Sequence, residues 1–241
     1  MSKSILQDSF LEFCSKKKFE INSEQVKIVN LLDLFIHPKK NFLNFILNSK
    51  NKFCFYLHGN VGVGKTMILD FIYDKKKKKK LRLHFNEFMI NFHDFRFKKK
   101  SDNSINAFVK NLTKKCELMY LDEFQVTNIV DAMILGKLFE VIFSENIKII
   151  ITTNTKLEDL YKDGLQREQF LPFISIIKKH SIQKELLLKD DYRQQNQEKL
   201  QRIFYPLNEK TTFKINQNFR ESTKDKKKEE KIIKTKGRNF E

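Results

Sequence analysis

Glycine is scarce and tryptophan is absent in this sequence of 241 residues, which holds six glycines in all. Three of the six, Gly59, Gly62 and Gly64, fall within the single stretch FYLHGNVGVGKTMILDF, which begins at residue 55. Because glycine is so rare elsewhere, the cluster indicates that the backbone at these positions needs conformations that glycine tolerates best.

Cysteine is also rare, and segments typical of export or membrane insertion are lacking. The three cysteines, Cys14, Cys54 and Cys116, are widely spaced and form no CxxC motif, which argues against a disulfide framework or a zinc site. The N-terminus includes acidic side chains and no long apolar stretch, and no apolar run approaches the roughly 20 residues of a membrane span. We therefore expect an intracellular, cytoplasmic protein, with peripheral contact at the inner face of the membrane at most, rather than a mitochondrial one.

Basic residues outnumber acidic residues by 47 to 30, which gives a formal net charge of +17. Such an excess is typical of proteins with an anionic partner, such as nucleic acid, anionic lipid or a phosphate ligand. A lysine-rich composition on solvated surfaces explains it equally, and we favour this explanation because the lysines fall in runs at apparent loops and near the C-terminus. Nucleic acid is therefore not the expected partner.

Apolar residues make up 40% of the chain, which suffices for the core of one large α/β domain. Five short apolar runs predict buried strands, and the patterns between them predict helices, so we expect a mostly parallel sheet flanked by helices. The strands are predicted at 53–58, 82–85, 117–121, 148–152 and 181–188, and the helices at 23–36 with Ser23 as N-cap, 66–74, 87–95, 104–115, 131–143 and 166–179.

The composition divides the chain into three predicted segments. Residues 1–50 are expected to form a helical lead-in and residues 51–190 the α/β core. Residues 191–241 are expected to form a charged extension, in which KDKKKEEKIIKTKGR, residues 224–238, is mobile.

The glycine cluster is part of GNVGVGKT, which fits the pattern G-x-x-x-x-G-K-[ST] of a phosphate-binding loop. A buried strand is predicted before it and a helix after it, as this chemistry requires. Polyphosphate is held by inward-pointing backbone N–H groups, by the positive N-terminus of the following helix and by a lysine that reaches the β- and γ-phosphates. The hydroxyl next to the lysine is a magnesium ligand. The predicted nucleoside triphosphate site consists of Gly59, Asn60, Val61, Gly62, Val63, Gly64, Lys65 and Thr66.

A second acidic motif lies in MYLDEF, where a predicted strand ends in Asp122 and Glu123. An aspartate at the carboxyl end of a strand holds magnesium, usually through water, and a neighbouring glutamate polarises the attacking water as a general base. An acidic pair is common at helix starts, but its combination with the phosphate loop favours a magnesium and hydrolysis site.

Two further residues are candidates for contact with the γ-phosphate. The predicted strand KIIIT leads to Asn154, which would sense the γ-phosphate and orient water, or would simply cap a loop. Arg167 lies near the start of the next predicted helix, where it would act on a neighbouring subunit as an arginine finger or remain an exposed surface arginine.

The stretch HFNEFMINFHDF contains His84, Glu87, His93 and Asp94, a composition that suggests a metal site. The spacing differs from HExxH, and the phenylalanines recur at intervals of 3, 4 and 3 residues. This period is typical of the apolar face of a helix packed on the sheet, and we favour that interpretation over a metal site or a substrate-contacting surface.

The stretches HFNEFM, LDEFQVTNIVDAMILGKLFEVIF and LYKDGLQREQFLPFI, followed by Asp191-Tyr192-Arg193, resemble the ZapE cell-division ATPases and their mitochondrial Afg-type relatives. The resemblance extends from about residue 20 to about residue 205 and more weakly to KGRNFE. It implies an AAA+ type P-loop ATPase that binds ATP and Mg²⁺ and forms homo-oligomers in which each subunit's arginine lies at its neighbour's nucleotide. By this resemblance Asp122 and Glu123 form the magnesium and hydrolysis pair, Asn154 is the sensor and Arg167 the finger.

The resemblance also implies a protein partner in bacterial division, the FtsZ ring at the inner face of the membrane. Chains of this family continue past the KGR-like segment into further helices, so the small C-terminal helical part is expected to be truncated here, with consequences for turnover more than for nucleotide binding. Two alternatives stay open, namely a nucleotide-gated scaffold that binds ATP without hydrolysing it and an AAA+ helicase loader or replication initiator that binds nucleic acid.

Overall fold

The computed structural model describes residues 5–38, 52–75, 79–99, 103–187, 208–223, 233–235 and 238–240. Two compact units are present, residues 1–191 and residues 192–241. The Asp191-Tyr192-Arg193 motif and most of the charged segment predicted to be mobile, at residues 224–232, lie outside the described residues.

Two helices precede the sheet, α1 (Ile5–Lys17) and α2 (Ser23–Ile36). The prediction of Ser23 as the N-cap of α2 is wrong by one residue, because the Glu24 backbone N–H donates to Asn22 Oδ1 at 2.8 Å. Asn22 has an extended backbone conformation and Ser23 is already helical, as the capping geometry requires. The helix ends at Ile36, two residues before Pro38, whose ring and missing N–H do not allow a helix to continue.

The first unit continues with alternating strands and helices. In chain order they are β1 (Cys54–His58), α3 (Lys65–Lys75), β2 (Lys80–His84), α4 (Phe85–Lys99), α5 (Ser104–Lys115), β3 (Leu118–Asp122), α6 (Ile129–Ser144), β4 (Lys148–Thr153), α7 (Leu171–His180) and β5 (Ser181–Glu185). The strands form one sheet in the order β2-β3-β4-β1-β5, and every neighbouring pair is parallel. All five predicted strands and the parallel sheet are therefore confirmed, with β1 flanked by β4 and β5.

The prediction of one continuous helix over residues 166–179 is wrong in its first turn. A 3-10 helix covers Arg167–Phe170, and the α-helix begins only at Leu171. Gln166 has a φ of 52°, in the left-handed region that an α-helix excludes, so the chain changes direction there. Pro172 lies in the first turn of α7, where its missing N–H costs no helical hydrogen bond.

The core consists of two apolar clusters, one on each face of the sheet. Cys54 and Tyr56 of β1 belong to the cluster beneath α4, α5, α6 and α7, whereas Phe55 and Leu57 belong to the cluster beneath α1, α2 and α3. Side chains alternate between faces along a strand, so a strand covered on both sides must be apolar at every position. This burial explains why β1, β3 and β4 are largely apolar runs in the sequence, whereas the less buried edge strands β2 and β5 include Lys80, Arg82 and Lys184.

The second unit contains a helix that the sequence did not predict, α8 (Glu209–Thr223), and a two-stranded antiparallel ribbon. The ribbon pairs β6 (Ile233–Thr235) with β7 (Arg238–Phe240). Within the part of the chain that the structure describes, no helix combines the length and the apolarity needed to cross a bilayer.

Candidate nucleotide-binding site

The phosphate loop connects β1 to α3 and has a backbone that only glycine accommodates well. Gly62 and Gly64 have φ values of 88° and 90°. A Cβ atom at Gly59 would overlap the carbonyl oxygen of Leu186, which follows β5. Close approach at the first glycine and left-handed backbone at the other two account for the cluster.

Gln25 of α2 contacts the phosphate loop, and this contact was not predicted from the sequence. Its side chain is buried, with 2% exposed, and its Nε2 donates to the carbonyl oxygen of Val63 at 2.9 Å. A Cβ atom at Gly64 would lie 2.7 Å from the same Nε2. Gln25 lies on the same helix face as Ile28 and Leu32. A polar residue on the apolar face of α2 is the feature of the sequence that could have indicated a buried polar contact.

Substitution of Gly64 tests this loop geometry. We expect Gly64→Ala to destabilise the fold by about 1–3 kcal/mol, because alanine is strained at a φ of 90° and its methyl group meets Gln25. Binding of a fluorescent ATP analogue should weaken as well. The matched control is Gly136→Ala within α6, where the added methyl group meets its nearest neighbour at 3.5 Å and helix propensity improves. Equal urea stability of the two variants would contradict the argument.

Lys65 and Thr66 open α3 directly after the loop. The Lys65 side chain, with 9% exposed, donates from Nζ to the carbonyl oxygens of Gly59 and Asn60, each at 2.7 Å. The ammonium group therefore lies within the curve of the loop. Thr66 is exposed in the first helical turn, while Val63 of the loop is buried against the core.

Asp122 ends β3 on the face of the sheet that carries α3, because Tyr120, two residues earlier, packs in the α3 cluster. Its side chain is almost fully buried and holds three donors. The Thr152 hydroxyl of β4 and the Glu123 backbone N–H donate to Oδ1, the latter at 3.1 Å. Arg82 of β2 donates from Nη2 to Oδ2 at 3.0 Å. Thr152 and Arg82 were not predicted, because only the strand order brings them to Asp122.

The donors around Asp122 leave one acceptor position of its carboxylate for a magnesium-bound water. A carboxylate accepts about four hydrogen bonds, two at each oxygen. The two bonds to Oδ1 fill that oxygen, whereas Oδ2 holds only the bond from Arg82 among the described contacts. One acceptor position remains at Oδ2, which fits magnesium because this ion usually keeps several of its waters.

Glu123 has an unusual backbone and an accessible carboxylate. Its φ is 54°, which is uncommon for a residue other than glycine and is frequent at functional sites. The side chain is 77% exposed, and its Oε2 lies 3.8 Å from Nδ1 of His84. The carboxylate is thus free to reach a water molecule near the end of β3.

Asn154 lies exposed directly after β4, the strand beside β1. The flanking residues hold this turn in place, since the Thr153 hydroxyl donates to the Phe124 carbonyl oxygen at 2.7 Å and the Thr155 N–H donates to the Thr153 hydroxyl at 3.2 Å. The Tyr56 hydroxyl donates to the Thr155 carbonyl oxygen at 2.9 Å. The backbone on both sides of Asn154 is therefore tied to β1 and to the Asp122 turn.

Arg167 lies apart from these residues, in the 3-10 helix before α7. Its guanidinium donates to two carbonyl oxygens of the same chain, those of Glu158 and Leu160, the second at 3.3 Å. The side chain is partly exposed. Within the described ranges, no hydrogen bond joins Arg167 to the phosphate loop or to Asp122 of the same chain.

The residues that suggested a metal site lie along α4 and just before it. His93 Nε2 lies 2.7 Å from Oδ1 of Asp131, which is held by Asn128 at the start of α6. Phe88 and Phe92 are buried in the core, as the favoured helix-face interpretation predicts. Across the described ranges, no group of three His, Cys, Asp or Glu side chains is arranged to hold a metal ion.

A family model and two curated proteins are similar to this chain. A model of the AFG1-like ATPase family matches residues 32–241. The chain is 35% identical over 164 residues to Lactation elevated protein 1 homolog B of Danio rerio, a match covering 63% of this chain and 33% of the relative. It is 35% identical over 127 residues to Cell division protein ZapE of Escherichia coli K12, a match covering 52% of this chain and 34% of the relative.

The solved structure of DnaI has a similar fold, with a TM-score of 0.50 and 20% sequence identity over 69% of this chain and 84% of that chain. The matches span about a third of the length of the two curated relatives. The family match covers most of the sequence, including β1, the phosphate loop and the Asp122 strand. The chain therefore belongs to the AFG1-like ATPase family and has the AAA+ type of P-loop NTPase fold.

Proposed function

We propose that this protein is a magnesium-dependent ATPase that works as a homo-oligomer on a protein partner. The observation that supports this most is the link between the phosphate loop and Asp122. Thr152 is the register partner of Leu57 in β1, and its hydroxyl donates to Asp122. The strand that leads into the loop is thus connected through β4 to the acidic pair.

Each residue has a separate task in this proposal. Lys65 and the backbone of residues 59–64 bind the phosphates, while Thr66 and Asp122 hold Mg²⁺, Asp122 through water. When bound there, Mg²⁺ would supply positive charge that neutralises the charge developing on the phosphates. Glu123 accepts a proton from the attacking water, and Asn154 orients that water. Arg167 contributes to the nucleotide site of a neighbouring subunit.

The proposed partner is a component of the bacterial division ring such as FtsZ. The support is the similarity to Cell division protein ZapE, together with the family resemblance over the Asp122 and Arg167 stretches. The proposed location is the cytoplasm, at the inner face of the membrane when the partner is bound.

Lys65→Ala tests the nucleotide site. We expect the wild-type protein to release phosphate from ATP with magnesium, at a specific rate that rises with protein concentration because the active form is an oligomer. Lys65→Ala should lose both ATP binding and turnover, since the ammonium group lies within the loop. The control is Lys27→Ala on α2, whose exposed ion pair with Glu24 has little energetic weight.

Two results would redirect the proposal. Wild-type protein that binds ATP but releases no phosphate would favour the nucleotide-gated scaffold. For the partner, co-sedimentation with FtsZ polymers should require ATP and be absent for Lys65→Ala. Equal co-sedimentation of both proteins, with or without ATP, would argue against a nucleotide-driven action on this partner.

A further inference from the structure

Arg82 lies between two carboxylates at the nucleotide site and has no role in the proposed reaction. It is part of β2, and its side chain is 24% exposed. Its Nη2 donates to Oδ2 of Asp122 at 3.0 Å, and its Nη1 donates to Oδ1 of Asp70 on α3. One guanidinium therefore joins the proposed magnesium residue to the helix that follows the phosphate loop.

The two carboxylates are in different environments. The Asp122 side chain is 3% exposed, whereas that of Asp70 is 52% exposed. Burial alone would lower the pKa of Arg82, but its hydrogen bonds to Asp70 and Asp122 outweigh this effect and raise the pKa. A guanidinium is always protonated in proteins, so the positive charge beside Asp122 is permanent, and water screens it less than a charge at the surface.

The charge balance decides how strongly this place attracts a divalent cation. Asp70, Asp122 and Arg82 together carry one negative charge, and removal of Arg82 would leave two. Arg82 also occupies one acceptor position of Oδ2, the oxygen of Asp122 with a position left for a metal-bound water. Repulsion between the guanidinium and a cation at Oδ2 acts at short range in a partly buried site, where it is strong.

We propose that Arg82 is a positioning residue that keeps Asp122 from holding Mg²⁺ until the phosphates of a nucleotide are present. The triphosphate supplies negative charge and oxygen ligands that the Asp122–Arg82 pair lacks. The metal ion and the nucleotide therefore bind to the site together. This inference rests on the nucleotide site proposed above. It explains why Asp122, the buried carboxylate proposed to hold magnesium, is paired with Arg82 from the neighbouring strand.

Binding of Mn²⁺ alone, measured without nucleotide by the loss of its free electron paramagnetic resonance signal, tests the inference. Mn²⁺ accepts the same oxygen ligands as Mg²⁺. We expect Arg82→Gln to bind Mn²⁺ at least about tenfold more tightly than the wild type, because one positive charge is removed next to the ion. The gain should disappear in the double variant Arg82→Gln, Asp122→Asn, which shows that Asp122 holds the added metal.

Three further variants separate this role from a structural one. Arg82→Lys keeps the charge and should bind Mn²⁺ as weakly as the wild type, and so should Arg96→Gln, which changes an exposed arginine of α4. Asp70→Asn leaves the guanidinium on Asp122 and should not gain affinity, even if Arg82→Gln fails to fold. The inference is overturned if folded Arg82→Gln gains no affinity for Mn²⁺, or if the gain persists in the double variant with Asp122→Asn. It is also overturned if either Asp70→Asn or Arg82→Lys binds Mn²⁺ as tightly as is expected for Arg82→Gln. ATP binding by the wild type is measured separately, so a failure of the nucleotide site is distinguishable.

Discussion

Glu123→Gln is expected to lower ATP turnover by a factor of about 10²–10⁴ while ATP remains bound, which is the loss typical of a missing general base. Glutamine has the shape of glutamate, but its amide cannot take the proton of the attacking water. The contacts of Glu123 that matter for binding are made by its backbone, whose N–H donates to Asp122 at 3.1 Å. That bond is unchanged in the variant, and the φ of 54° is equally uncommon for both residues.

Two measurements on the same protein check this expectation. Phosphate release reports turnover, and titration with a fluorescent ATP analogue reports binding. Glu140→Gln on α6 is the control, because it removes one exposed carboxylate away from β3. Retention of more than about a tenth of the turnover, or loss of ATP binding together with turnover, would show that Glu123 is not the general base.

The three central strands β1, β3 and β4 were predictable because each is buried on both faces. Phe55 and Ile150 face the α3 side while Tyr56 and Ile151 face the α4 side, so both sets had to be apolar. Such a run is visible without any knowledge of its partners. The strand order was not predictable in this way, since β4 pairs with β1 across about a hundred intervening residues that leave no local trace.

The candidate site shows the same difference between residues in a local motif and residues brought together only by the fold. The residues of GNVGVGKT form one contiguous loop with a defined pattern, so the sequence alone predicts a phosphate-binding role for them. Gln25, Arg82 and Thr152 act through contacts with residues at least 30 positions away. Only the fold brings these side chains to the loop and to Asp122, although the polar Gln25 on the apolar face of α2 was a usable signal.

The segment around Arg167 was mispredicted because its local pattern suggested a longer helix. The apolar side chains of Phe170, Phe173 and Ile177 recur at helical spacing, which favours continuation of α7 towards residue 166. The positive φ at Gln166 and the side-chain hydrogen bonds of Arg167 impose a tighter turn instead. This turn fixes the orientation from which Arg167 would approach another subunit.

Arg167→Ala is expected to lower turnover by a factor of about 10³–10⁵ in the assembled protein, the effect of losing an arginine finger. A guanidinium has five N–H donors, and two of its nitrogens already donate to the carbonyl oxygens of Glu158 and Leu160. These bonds hold the side chain in a defined position and leave donors for a phosphate of the neighbouring subunit. Because Arg167 makes no described contact with its own phosphate loop, the loss should appear only between subunits.

A mixing experiment separates an effect between subunits from damage within one. Neither Arg167→Ala nor Glu123→Gln should turn over ATP alone. In the proposed assembly, mixed oligomers would contain interfaces in which Arg167 of a Glu123→Gln subunit faces an intact site on an Arg167→Ala subunit. We expect the mixture to regain a measurable part of the wild-type rate. Lys162→Ala, which removes an exposed cation from the same segment, should turn over ATP normally. Absence of recovery in oligomers shown to be mixed, or near-normal turnover of Arg167→Ala alone, would assign Arg167 to its own turn, where it holds the carbonyl oxygens of Glu158 and Leu160.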